Sequence, residues 1–179
     1  AHGSKELSPT DADVIAAYSA VAGYVLGDMS TDNGAAITDF LAWWQSTGLA
    51  GHKIDGWVAV DYTNPLHLRQ AIYLFGGIDV GVQIPNVAMD QFSNGKAWDL
   101  VPDDGGIDGG HSVPVLGYGR AGFTCVTWGK LREMTNAWVT QYLDEAYALV
   151  SMEWLDANGE APNHLDIAAL REDLQALKA

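Results

Sequence analysis

The side chain whose type and setting best fit proton-transfer chemistry is His111, in the run Gly109-Gly110-His111-Ser112-Val113-Pro114-Val115-Leu116-Gly117-Tyr118-Gly119. Histidine changes charge near neutral pH, so an imidazole opening a strand behind a Gly-Gly approach is a candidate general base for a cysteine or serine hydrolase. The plain structural alternative is a histidine at a strand start, hydrogen-bonded to backbone. Covalent hydrolysis also needs a nucleophile within hydrogen-bond reach of the base, and donors for the oxyanion. The one cysteine, Cys125, lies inside a predicted strand beside Val126, where a thiol reads as a small buried apolar group. No nucleophile is identified. Asp103, Asp104 and Asp108 do not have the spacing of a 12-residue calcium loop and read as a solvated acidic loop. His52 and His67 lack partners at helical metal spacing and read as surface residues, so neither a metal nor a cofactor is expected.

The elements that must carry these residues follow from pattern. Thr10, with an acid at Asp13, predicts a helix start, and Val14, Tyr18, Val21 and Ala22 share one face as far as Gly23. Ile37, Phe40, Leu41 and Trp44 give a second helical stripe, with Trp43 at its edge. A strand is expected over 54–61. Asn64-Pro65 then caps and starts a third helix, which buries Leu68, Ala71, Ile72 and Phe75 before Gly76-Gly77 ends it. Residues 78–84 read as a buried strand, and 94–110, rich in Gly and Asp, as the longest loop. Strands at 111–118 and 122–128 follow, then a helix capped by Thr135, a strand at 146–151 and a turn at Asn158-Gly159. Ile167, Leu170, Leu174 and Leu177 predict a C-terminal amphipathic helix over 163–178. Helices lead and strands cluster later, which is an α+β order. The expected organisation is a single domain over 1–179: a flexible 1–9, a helical part at 10–50, a sheet-rich part at 54–152 and the last helix.

Composition narrows the partners. The chain has 179 residues and is 48% hydrophobic, enough for a core, and its net charge of −14 disfavours nucleic acid and anionic membrane surfaces. No apolar run approaches the roughly 18 residues of a membrane span. The N-terminus lacks the apolar stretch of an intact signal peptide, so the compartment stays open. A single cysteine excludes an intrachain disulfide within these residues.

The His111 strand, its Gly-Tyr turn and the following Val126-Thr127-Trp128-Gly129 together resemble the histidine half of a papain-like cysteine peptidase. There a histidine leads a strand and the next strand ends in Asn-Ser-Trp-Gly. The order of elements over about 10–152 is similar, and closer to divergent bacterial and phage-type relatives than to papain. The resemblance implies a papain-like fold, with N-terminal helices packed on a C-terminal antiparallel sheet. It also implies a base at His111 approached through Gly110, and a shielding tryptophan at Trp128. It departs from the family in two ways: residues 1–30 contain no cysteine, and the position of the ring-orienting asparagine is Val126. A valine cannot accept the ring N–H, so something else must fix the tautomer. The leading expectation is therefore a papain-like-fold domain without autonomous catalysis, a binding or structural module. Its partner would be another protein, a dimer mate or a peptide. The alternative is the C-terminal part of a cysteine peptidase or amidase, with His111 as general base and the nucleophile upstream of Ala1. A carbohydrate- or peptide-binding role for the tryptophans rests on composition alone.

Overall fold

In the computed structural model, which describes residues 8–151 and positions 166, 169 and 172, the chain is of α+β class. Two compact units divide it, Ala1–Trp57 with Val150–Ala179, and Val58–Leu149. The expected C-terminal helix, the Asn158-Gly159 turn and most of the 1–9 segment lie outside the described residues.

The first unit begins with α1 (Asp11–Ala22), started as predicted by a capping box. The Asp13 amide donates to Thr10 Oγ1 at 3.2 Å and the Thr10 amide to the Asp13 carboxylate at 2.9 Å. Gly23 ends the helix in the left-handed conformation, φ 72°. Its buried face centres on Ala17, whereas Val14, expected in the stripe, is exposed. In α2 (Ile37–Ser46), Ile37 and Leu41 are buried, and Phe40 sits against the rings of both Trp43 and Trp44. The Trp44 indole N–H donates to the His52 carbonyl at 2.9 Å, which closes the turn after the helix.

Strand β1 (Gly56–Ala59) and helix α3 (Pro65–Phe75) follow, the helix capped by the Asn64 side chain and stopped at Gly76. Then come β2 (Ile78–Pro85), α4 (Asn86–Ser93), β3 (Ile107–Tyr118), β4 (Gly122–Thr127), β5 (Lys130–Thr135), α5 (Asn136–Tyr142) and β6 (Leu143–Val150). The six strands form one sheet in the order β1-β6-β2-β3-β4-β5. Strand β2 pairs antiparallel with both β3 and β6, as β4 does with β3 and β5. Alternation sends Ile78, Val80, Val82 and Ile84 of β2 into one core with Val113, Val115, Phe123, Cys125, Trp98 and Trp138. Helices α3, α4 and α5 supply the rest of that core through residues such as Leu68, Ala88 and Val139.

Four elements differ from the sequence expectation. Strand β3 starts at Ile107, so His111 lies within the strand rather than at its start. Gly109 and Gly110 read as loop but pair with Ile84 and Gln83. Helix α4 was not expected, because one of its two buried residues is the polar Gln91, invisible to an apolar pattern. Strand β5 replaces an expected irregular or helical stretch after Trp128-Gly129, since its polar alternation, Lys130-Leu131-Arg132-Glu133, buries Arg132 and Met134. Strand β6 begins at Leu143, three residues early, where its pairing with β2 shifts register.

Candidate functional site

The site is built on the hairpin between β4 and β5. Thr127 pairs with Lys130, leaving Trp128-Gly129 as a two-residue loop with φ of 44° and 72°. Two successive positive φ values are what a primed type I hairpin turn requires, and Asn-Gly is its favoured sequence. Glycine adopts the second position freely. A bulky L-residue at the first is strained by about 1–2 kcal/mol.

Ring contacts offset that strain. The Trp128 indole stacks on the His111 imidazole, with centroids 4.9 Å apart and planes 15° apart. Phe92 meets it edge-on at 4.7 Å and Trp98 at 5.9 Å. Such pairs contribute about 0.5–1.5 kcal/mol each. Phe92 is itself held by Arg132, whose guanidinium lies 4.7 Å over its ring and donates to the Phe92 carbonyl at 3.2 Å. Trp98 is fully buried, stacks on Trp138 at 4.8 Å, and donates its indole N–H to the Ala88 carbonyl at 3.0 Å. Helix α4, through Phe92, and the loop that follows it, through Trp98, therefore form the seat of the tryptophan.

His111 sits opposite Val82 in the β2–β3 ladder. Its Nε2 lies 2.8 Å from Thr127 Oγ1, a hydrogen bond whose direction depends on the tautomer. No hydrogen-bond partner stands on Nδ1 among the described residues. The ring is about half-buried, and loss of hydration holds its pKa below the usual 6.5, which favours the neutral form. Trp128 keeps 44% of its surface exposed, which marks it as a cover on the ring rather than core filling.

Of the site residues expected from sequence, the structure brings His111 and Trp128 together. Val126 does not take part: Phe123, Cys125 and Thr127 share the buried face of β4, and Val126 alternates to the other. The polar partner of the ring is Thr127, one residue on, and the alternation set by Cys125 was the signal that could have found it. Gly110 makes no close approach, since nothing lies within 4 Å of where its Cβ would stand.

Cys125 is fully buried and its thiol is pushed up to about 12 by burial, so it is no nucleophile at neutral pH. In the acidic loop, Asp104 is tied rather than merely solvated. It accepts from the Tyr142 hydroxyl at 2.6 Å and from the Gly106 amide at 2.9 Å, and these bonds lower its pKa. His67 Nδ1 lies 3.6 Å from the Asp61 carboxylate, a partner not assigned from sequence, with both side chains about half exposed. Among the described residues no group of three or more His, Cys, Asp or Glu is arranged to hold a metal. No described helix is long and apolar enough to cross a membrane.

On the opposite face of the sheet, Ser112 donates to Asp79 Oδ1 at 2.9 Å. Burial raises the Asp79 carboxyl to about 6, although the Ser112 bond and the Val80 amide pull the other way.

No family model matches the chain, and neither does any curated protein or solved structure.

Proposed function

We propose that this chain carries the proton-transfer half of a papain-like cysteine hydrolase site. His111 takes the thiol proton of a nucleophile supplied by polypeptide outside these 179 residues. The observation that carries the reading is the His111 ring itself: covered on one face by Trp128, bonded through Nε2 to Thr127, with Nδ1 turned away from that bond and its pKa lowered by burial. A general base needs this combination of fixed plane, one engaged nitrogen and a pKa near or below the working pH. Keeping Trp128 at φ 44° costs stability and gains a cover for the imidazole, which favours a role for the ring beyond packing. The α+β order, with a strand-borne histidine and a following Thr-Trp-Gly, is consistent with the papain-like resemblance. Substrates of such sites are acyl compounds, peptides or amides.

Its single thiol is buried and protonated, so these residues supply no thiol nucleophile of their own at neutral pH. That same observation favours the second reading, a papain-like-fold binding or structural module that retains the ring pair and recruits a protein or peptide partner.

One experiment separates them: the intact mass of the polypeptide from its native source, with labelling by a peptidyl electrophile directed at thiols. The hydrolase reading expects a labelled cysteine other than Cys125, with labelling lost in His111→Ala. A native polypeptide whose one cysteine is Cys125 overturns that reading and leaves the binding module.

A further inference from the structure

Thr127 is 96% buried by its 4% relative exposure, and the hydrogen-bond partner of its hydroxyl among the described residues is His111 Nε2. A hydroxyl has one proton to donate and lone pairs that accept. If Nε2–H donated to Thr127 Oγ1, the threonine proton would lack an acceptor among the described residues, in a place largely closed to water. An unsatisfied buried donor is the costlier arrangement. With the opposite direction, O–H donating to the Nε2 lone pair, both atoms are satisfied.

We propose that Thr127 is the positioning residue of His111, and that it fixes the neutral ring in the tautomer carrying its proton on Nδ1. The parallel Trp128 indole sets the plane of the imidazole, but a plane alone permits a half-turn that would exchange its edges. The Thr127 bond selects which edge faces inward. An asparagine carbonyl, as in the resembled family one residue earlier, only accepts and would select the opposite tautomer.

The inference rests on the reading of His111 as a proton-transfer group and deepens it. The resting ring turns an N–H outward, as a donor. With its proton on Nδ1, the outward nitrogen is a donor and not a base, so the ring must change tautomer before that edge can take a proton from a thiol. Thr127 therefore holds the ring in its resting form, and the change of tautomer is a step that any proton transfer at Nδ1 must include.

The test is a two-bond proton–nitrogen correlation spectrum of the 179-residue chain with 15N-labelled histidine, recorded above the ring pKa. Wild type and Thr127→Ser are expected to show a protonated Nδ1 and an unprotonated Nε2. Thr127→Val, which keeps the shape and removes the donor, is expected to move the Nε2 nitrogen shift toward that of a free lone pair, because the hydrogen bond to it is lost. A wild-type spectrum showing Nε2–H, or an Nε2 shift unchanged in Thr127→Val, overturns the assignment. If the valine variant does not fold, the wild-type spectrum decides alone. The tautomer is read without any nucleophile. A failed labelling experiment with an Nδ1–H ring removes only the hydrolase reading, and successful labelling with an Nε2–H ring removes only the role of Thr127.

Discussion

His111 and Ser112 are neighbours in one strand, and alternation turns them to opposite faces of the sheet. On the first face an imidazole lies under an indole and beside a buried hydroxyl. On the second, a serine donates to the Asp79 carboxyl, with Glu145 nearby raising the pKa of that carboxyl further. Burial pushes both titratable groups toward their neutral forms, the histidine down and the aspartate up. What differs is where the cost falls. The histidine face stores its cost in a strained turn and keeps a nitrogen outward. The aspartate face stores it as a carboxylate that is poorly hydrated above pH 6. The comparison teaches that burial alone does not mark a site: both faces shift a titratable group toward its neutral form, and only the histidine face adds a ring stacked on it and a strained turn to hold that ring.

The support of the histidine face is its weakest link, and Trp98→Ala breaks the comparison most severely. Removing a fully buried indole that stacks on Trp138 and abuts Trp128 should cost about 3–5 kcal/mol, read as a lower urea midpoint. Asp79→Asn acts on the other face and with the opposite sign. The folded pKa of about 6 exceeds the ordinary 3.8, so the folded state holds this proton more tightly and stability falls as pH rises from about 4 to about 6. The asparagine variant should be more stable at pH 7.5 by up to about 3 kcal/mol, and no more stable below pH 3.8. Urea titrations at the two pH values check both halves; a uniform gain at both would dissociate the effect from the carboxyl.

A smaller change sharpens the histidine side. Trp128→Asn relaxes the turn by about 1–2 kcal/mol while losing ring contacts of similar size, so its net stability change should lie within about 1 kcal/mol. The His111 pKa should rise toward 6.5 as the ring regains water, visible in a proton NMR titration. The depressed pKa means that the contribution of His111 to stability is complete above 6.5 and lost as pH falls through the folded value. Trp128→Asn should shift that loss to higher pH. The smallest expected signal belongs to Cys125: iodoacetamide at pH 7.5 should leave the folded chain unlabelled and modify it only after denaturation.

Much of this was legible in the sequence where local chemistry decides conformation. Thr10 with Asp13, Asn64-Pro65 and Gly76 each fixed a helix end by hydrogen-bonding or φ preference, and the structure has those ends. The pairing of His111 with Trp128 is what the papain-like resemblance implies, and the two rings do stack. What escaped reading depends on tertiary burial of polar residues. Gln91 is buried because its amide bridges both backbone groups of Asp99, and Arg132 because it donates to the carbonyls of Phe92, at the end of α4, and of Lys96 just beyond it. Neither is announced by an apolar period, so α4 and β5 were missed. Thr127 is hidden for a different reason: the resemblance points to Val126, while strand alternation assigns the inward position to its neighbour.

The turn at Trp128-Gly129 also bears on the order in which this chain can tolerate change. An indole at φ 44° is held by three rings, and the imidazole beneath it is one of them. Once His111 is lost, that share of the compensation goes with it, and asparagine or glycine at 128 comes closer in stability to the indole. Loss of the indole first leaves a ring that is merely wetter. The order of change therefore matters: losing the histidine first weakens the hold on the indole, whereas losing the indole first leaves the histidine bond to Thr127 in place.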